Sequence, residues 1–317
     1  MSNFAEECSE KYLDFTILFH KYYMVYQKHT MKKKLIVEII MTIEELIGPH
    51  PKSPHAYGDW WSFVDMPATV SKKHRALDEI SGMRDKALDQ MAQWIVDYHL
   101  TNVQNRNLDK QRAILDRNEL SSYVDKMNVL PVNECTKKGN LGEITLIEYL
   151  KESRGFDPLV YKFHYNSNFN QSMKGDDCLL FNREDLESEV IYGECKFRSK
   201  PSKKVITDIV DNLQGAKGLP SSITFVANCL DQRGEIELAD RLLDLHLKIM
   251  NGKIPLTNVG FLISTKSVVP SEDTKSTIEK HLSTTNSRMV MVSLGVNNPI
   301  QIVDEAYNRA VAILRSK

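Results

Sequence analysis

The chain has 317 residues, 42% of them apolar and 26% charged, with a formal net charge of −1, which is typical of a globular protein with one large or two ordinary domains. The near-neutral charge excludes a global attraction to nucleic acid, so any phosphate-binding surface must come from a local cluster. Five scattered cysteines exclude a disulfide framework, and without a signal-peptide pattern or a membrane-length apolar stretch we expect a cytoplasmic protein with no membrane contact.

Residues 1–130 are predicted to form a mostly helical N-terminal region. An aromatic-rich opening is followed by an apolar segment, residues 35–48, whose periodicity suits either a helix or a strand. Residues 48–68 are dense in proline, glycine and histidine, which is typical of an ordered loop. From about residue 71 to residue 124, apolar side chains recur near the helical period.

Residues 131–317 are predicted to form a second domain in which strands and helices alternate. A helix ends at Gly155, and three strands follow in DPLVYKFHYN, DCLLFN and EVIYGECKFR. A helix at about residues 202–217 precedes a strand in SITFVANCL, and the alternation continues to a last helix at about residues 301–314. The order α-β-β-β-α-β-α-β-α-β-α predicts an α/β (α+β) fold with a mixed sheet flanked by helices.

Three charged residues lie in segments that otherwise predict buried strands, where an unpaired charge is costly. Because side chains alternate across a strand, Glu194 and Lys196 share one face of the segment EVIYGECKF. Asp177 stands at the start of the preceding apolar run. If these two strands are antiparallel neighbours, Asp177 lies close to Glu194 and Lys196.

This set of side chains suits metal-dependent hydrolysis of a phosphodiester. Mg²⁺ prefers oxygen ligands and is usually held by one or two carboxylates, here Asp177 and Glu194, to which the backbone carbonyl of Cys195 adds a third oxygen. Mn²⁺ is an alternative ion. Lys196 would hold or deprotonate the attacking water and stabilise the charge that develops on the phosphate. A bound metal ion lowers the pKa of that water.

The Asp, spacer, Glu-x-Lys arrangement resembles the PD-(D/E)xK nuclease superfamily, which implies a restriction-endonuclease-like αβββαβ core. Three motifs narrow the resemblance: Gly142-Glu143, Gly175-Asp176-Asp177 and Gly193-Glu194-Cys195-Lys196. In this order they look like HamA, the nuclease subunit family of Hachiman anti-phage defence. The resemblance implies that Glu143, near the start of its helix, completes the acidic site. Asp176 and Asp177 both remain candidates for the metal-binding aspartate, and the Gly-x-Asp pattern favours Asp177.

The resemblance further implies a DNase that is the effector of a prokaryotic defence system and is controlled by a helicase subunit (HamB-like) in a heterodimer. Residues 1–130 would dock that partner or restrain the nuclease. A basic tract follows the last motif and would attract phosphates without reading sequence; it consists of Arg198, Lys200, Lys203 and Lys204. Two alternatives stay open: a non-catalytic adaptor of the same fold that binds DNA or a partner, and an RNase.

Overall fold

A six-stranded mixed sheet lies at the centre of the computed structural model, which describes residues 40–119, 129–171, 173, 175–216, 218–267, 269 and 273–315. The strands are β1 (Trp61–Asp65), β2 (His74–Glu79), β3 (Cys178–Phe181), β4 (Val190–Phe197), β5 (Leu256–Thr265) and β6 (Met289–Val296). They lie in the order β1-β2-β6-β5-β4-β3. The four inner strands run parallel, and the two outer strands run antiparallel to their neighbours.

Helices cover both faces of this sheet, as predicted. They are α1 (Ile43–Ile47), α2 (Ala56–Trp60), α3 (Arg84–His99), α4 (Asn102–Arg117), α5 (Glu134–Arg154), α6 (Lys203–Gly215), α7 (Leu219–Gln232), α8 (Ile236–Met250), α9 (Thr274–His281) and α10 (Pro299–Arg315), with a 3₁₀ turn, η1, at Lys162–Tyr165. One apolar core packs α3, α5 and α10 on the sheet, and a second packs α6, α7 and α8. None of the described helices is long and apolar enough to cross a membrane.

Two predicted strands are wrong, and each has a local cause. The segment DPLVYKFHYN forms a loop and η1, because Leu159 has a φ of 60°, which interrupts extended backbone. The segment SITFVANCL lies within α7, whose buried side chains include Leu219, Ile223, Val226 and Leu230 at helical spacing. Two strands, and not three, therefore lie between α5 and α6. The mixed helix-flanked sheet is confirmed, whereas its assignment to the PD-(D/E)xK core stays a prediction.

Residues 41–119 contain strands as well as helices: β1 lies in the segment predicted as a loop, residues 48–68, and β2 lies in the segment with the helical pattern, about residues 71–124. The hairpin of β1 and β2 joins the sheet because β2 pairs in parallel with β6, and α3 packs against α10. Residues 41–317 form one compact unit, and the division of the chain at residues 130/131 stays a prediction. The docking role of residues 1–130 stays a prediction, and residues 1–39 and 120–128 lie outside the described residues.

Two buried histidines join the elements of the first core. His50 Nε2 lies 3.1 Å from the carbonyl oxygen of Trp61, and its Nδ1 lies 3.3 Å from the Tyr149 hydroxyl. His99 Nδ1 donates to the carbonyl oxygen of Ile95 at 2.7 Å, and its Nε2 lies 3.0 Å from the amide nitrogen of Asn140. Burial lowers the pKa of both imidazoles to about 4, so both rings are neutral at pH 7.

We expect the free energy of unfolding to fall as the pH decreases from about 6.5 to about 4, because the unfolded chain binds protons on these rings before the folded chain does. Each ring should account for about 1–3 kcal/mol over that interval. Urea unfolding of the wild type, His99→Gln and His281→Gln at several pH values measures this. His99→Gln should flatten the dependence and His281→Gln should keep it; equal slopes in all three proteins would contradict the assignment.

Candidate active site

Asp177 lies directly before β3, beside the part of β4 that carries Glu194, Cys195 and Lys196. The two strands are antiparallel with Cys178 opposite Gly193, so the same register places Asp177 beside Glu194. Asp177 Oδ2 accepts a hydrogen bond of 2.9 Å from the backbone N–H of Cys195. The N–H and C=O of a strand residue point to the same side, so the Cys195 carbonyl faces the Asp177 side of β4. The predicted proximity of the second and third motifs is thus observed.

Two glycines allow α5 to lie directly against β4. A Cβ on Gly142 would lie 2.8 Å from Cys195 Sγ, and a Cβ on Gly193 would lie 2.9 Å from Leu146 Cδ2. Both distances are too short for carbon atoms in a packed core, so larger residues would separate the helix from the strand. The close packing places the residue after Gly142 beside the start of β3, and this residue is Glu143.

Glu143 is buried, and its carboxyl group lies within hydrogen-bonding reach of Asp177. Burial raises the pKa of Glu143 to about 8; the positive charge of Lys162 opposes the rise and the negative charge of Asp177 adds to it. Lys162 Nζ lies 2.6 Å from Glu143 Oε2, so the ammonium group pairs with this buried carboxyl group. A buried and a half-buried acidic group therefore meet here, with the ammonium group of Lys162 beside them.

Lys162 is a site residue that the sequence analysis missed. It lies on η1, in the segment that was predicted as a strand, and donates to the backbone carbonyl of Asp176 at 2.9 Å. Burial alone would lower the pKa of Lys162, but the charges of Glu143 and Asp177 raise it above its usual value. A lysine inside the aromatic run VYKFHY was the one available signal, since a buried lysine requires an acidic partner.

Glu194 and Lys196 pair with each other on the face of β4 that α6 covers. Lys196 Nζ donates a hydrogen bond to Glu194 Oε1, which also accepts one of 3.2 Å from the side-chain amide of Asn212. Burial alone would lower the pKa of Lys196, but the hydrogen bond to Glu194 and the charges of Glu194 and Asp177 raise it. In this conformation Lys196 is therefore a positively charged donor.

Asp176 has different partners from Asp177. Its Oδ1 accepts a hydrogen bond of 2.6 Å from the Tyr192 hydroxyl, while its Oδ2 is buried and has no hydrogen-bond partner among the described residues. Asp177 alone of the two contacts the backbone of the Glu-Cys-Lys segment. A cavity of about 160 Å³ adjoins both aspartates and is also lined by Glu143 and Lys162.

The residues present fit a hydrated divalent cation, although among the described residues no three His, Cys, Asp or Glu side chains converge as a ready metal centre. Glu143 and Asp177 are carboxyl groups within hydrogen-bonding reach of each other, and the neighbouring Asp176 Oδ2 is buried without a donor among the described residues. A cation would relieve the repulsion that ionised groups would have here. Mg²⁺ commonly takes only one or two carboxylates and completes its six ligands with water, so a three-carboxylate centre is not required.

The basic tract lies on the surface immediately after the paired residues of β4. The tract consists of Arg198, Lys200, Lys203 and Lys204, and all four side chains are exposed. None of them lies within salt-bridge distance of a described carboxylate. Lys203 and Lys204 occupy the first turn of α6. Exposed cations without acidic partners are available to an external anion, so this part of the prediction is compatible with the structure.

Comparison with known proteins gives one family. The HamA family model matches residues 59–310. A curated relative, "Hachiman protein HamA" of Bacillus cereus, is similar to the chain, with 37% identity over 271 residues that cover 85% of this chain and 96% of the relative. The matched range begins before β1 and ends within α10, so it includes both strands of the N-terminal hairpin and every candidate site residue.

The packing of α5 on β4 makes Gly142 and Gly139 an instructive pair of substitutions. We expect Gly142→Ala to lower the free energy of unfolding by about 1–3 kcal/mol, because the new Cβ would meet Cys195 Sγ. Gly139 lies on the same helix, and a Cβ added there would have no neighbouring atom within 4 Å, so Gly139→Ala should raise stability by about 0.5–1 kcal/mol. Chemical denaturation of both variants measures the difference, and a stable Gly142→Ala protein would contradict the close contact.

Proposed function

This chain belongs to the HamA family, and we propose that it is a metal-dependent nuclease that serves a Hachiman anti-phage defence system. The name of the relative supports the defence role. The observation that carries the chemistry is the hydrogen bond from the Cys195 N–H to Asp177, since it joins the aspartate motif to the Glu-Cys-Lys segment. Carboxylates and a lysine gathered at buried strand ends are costly for folding and are typical of catalytic sites.

We assign the metal ligands to Asp177, Glu194 and the backbone carbonyl of Cys195, with Glu143 completing the acidic cluster. Both hydrogen bonds received by Glu194 go to Oε1, which leaves Oε2 as the oxygen to bind a metal. Asp177 keeps its hydrogen bond to the Cys195 N–H and is thereby held in place. Bound Mg²⁺ or Mn²⁺ would lower the pKa of an attacking water and neutralise charge on the phosphate.

Lys196 acts as a hydrogen-bond donor in this proposal. Its raised pKa keeps the ammonium group protonated, so it can orient a water molecule or hold a phosphate oxygen, and it can stabilise the negative charge of the transition state. A role as general base would first require loss of its pairing with Glu194. Burial raises the pKa of Glu143 to about 8, and its carboxyl group lies within hydrogen-bonding reach of Asp177.

The proposed substrate is DNA, cleaved with little sequence specificity. The exposed tract from Arg198 to Lys204 would bind the backbone through charge, and backbone contacts carry no sequence information. We further propose that a HamB-like helicase subunit forms a heterodimer with this chain and controls it, with residues 1–130 as the docking or restraining region. An RNase and a non-catalytic adaptor are the competing functions.

Substitution at the site tests the enzyme. Purified chain, together with its helicase subunit where the isolated chain is restrained, should cleave plasmid DNA in Mg²⁺. Glu194→Gln and Lys196→Ala should each reduce the rate by about 10²–10⁴-fold. The exposed residues Asp240 and Lys280 provide matched controls, and Asp240→Asn and Lys280→Ala should keep wild-type activity. Cleavage that is unchanged in the site variants would exclude this site, and a faster reaction on RNA would favour the RNase.

Metal binding separates the enzyme from the adaptor. Calorimetric titration with Mg²⁺ or Mn²⁺ should show binding to the wild type and weaker binding to Asp177→Asn, because the substitution removes a charged ligand. Asp176→Asn should retain more of the affinity, since the Asp176 carboxylate is engaged by Tyr192. An adaptor would bind no metal that depends on Asp177, and the reverse order of the two variants would reassign the ligand to Asp176.

A further inference from the structure

The cavity beside the acidic cluster has one polar wall and several aromatic or apolar walls. The 160 Å³ it encloses is on the order of ten times what one water molecule requires, so it exceeds the needs of a single hydrated contact. Its apolar lining comes from five elements, α3, α5, β3, η1 with its preceding loop, and α7, and includes Tyr161, Phe163, Leu179, Phe225 and Val226. The space is therefore built by the tertiary fold.

The aromatic walls are held by neighbouring contacts. Phe163 stacks on the buried imidazole of His99 with ring centres 4.9 Å apart, and Tyr161 packs against Tyr98 at 4.2 Å. Phe225 meets Tyr165 edge-on at 5.8 Å and is only partly buried, so one of its surfaces is available. Fixed aromatic rings beside an open space are suited to a flat partner that can stack or make edge contacts.

The polar wall selects the charge of that partner. Asp176 Oδ2 is a buried acceptor without a donor among the described residues, and Glu143 and Asp177 also line the cavity. Lys162 lines it too, but its ammonium group is paired with Glu143 and with the Asp176 carbonyl oxygen, so the wall as a whole is suited to a neutral group that carries N–H donors. Every DNA base presents an N–H or NH₂ on its Watson–Crick edge, and a base also has the flat apolar faces that the other walls require.

We propose that this cavity receives one unpaired nucleobase of the DNA strand whose phosphate lies at the acidic cluster, so that single-stranded DNA is the preferred substrate. The inference rests on the proposed function and narrows its substrate class. The Watson–Crick edge of a base within a duplex is already paired, and its entry would require extrusion from the stack. A single strand avoids that cost. One acceptor, Asp176 Oδ2, can take a hydrogen bond from any base, which agrees with low sequence specificity.

Equilibrium binding tests the cavity independently of cleavage. The probes are a short fluorescein-labelled single strand of DNA, the same strand with abasic residues, and its duplex, measured by anisotropy on the full chain with Ca²⁺ in place of Mg²⁺. We expect the single strand to bind about tenfold more tightly than the duplex or the abasic strand, which corresponds to stacking of one base. Free deoxynucleoside monophosphate serves as a competitor and distinguishes a nucleotide site from a strand site.

Two substitutions change the cavity: one fills its space, and the other removes part of its aromatic lining. Ser221 lines the cavity and is exposed, so Ser221→Leu fills the space with little effect on folding, and Ser221→Ala is its matched control. Phe225→Ala removes one aromatic wall. Ser221→Leu and Phe225→Ala should each abolish the single-strand preference while leaving duplex affinity unchanged, and Ser221→Ala should keep the preference.

The outcomes separate this inference from the proposed function. Equal affinity for single strand, abasic strand and duplex, or a preference that survives both Ser221→Leu and Phe225→Ala, would overturn the base-binding cavity even if plasmid DNA is cleaved. Tight competition by the free mononucleotide, with no added affinity for the strand, would also overturn it, because the site would then serve a small molecule. A single-strand preference without any metal-dependent cleavage would uphold the cavity and reject the nuclease.

Discussion

The contact of α5 with β4 across two glycines is the constraint on which the site depends. Without a side chain at Gly142 the helix reaches Cys195, and without one at Gly193 the strand accommodates Leu146. The distance between α5 and β4 decides whether Glu143 on the helix can reach Asp177, the residue directly before β3. The glycines of the first and third motifs therefore act through packing, and the acidic residues that follow them are positioned as a consequence.

The burial of Glu143 beside Asp177 carries an electrostatic cost, which raises the pKa of Glu143. Glu143 and Asp177 are close and Glu143 is buried, while the compensating charge of Lys162 comes from a turn that also holds the Asp176 backbone. A fold selected for stability alone would replace such a group by apolar side chains, since buried ion pairs often contribute little net stability. The well-packed apolar cores on the two faces of the sheet supply the stability that allows this arrangement.

Local pattern was enough to predict part of the structure. The helix that ends at Gly155 and the strands at Cys178 and Val190 follow directly from periodicity and a glycine stop, and Asp177 accepts a hydrogen bond from the backbone of the Glu-Cys-Lys segment. The missed features depend on tertiary context. Nothing local reveals that Leu159 adopts a positive φ, which makes a turn and carries Lys162 into the site. The β-branched residues of α7 suit a strand as well as a helix. Only the structure shows that the buried side chains of this segment recur at helical spacing.

The shortness of β3 has a chemical consequence at the end of β4. The β3 ladder spans four residues and its last pair is Cys178 with Gly193, so β4 continues beyond it with one side of its backbone unpaired by a strand. An aspartate replaces the missing strand there and accepts the Cys195 N–H, while the carbonyl of the same residue faces the same side. A carboxylate cannot donate to that carbonyl, as another strand would. In the proposed function this backbone oxygen is the third ligand of the metal ion, beside Asp177 and Glu194.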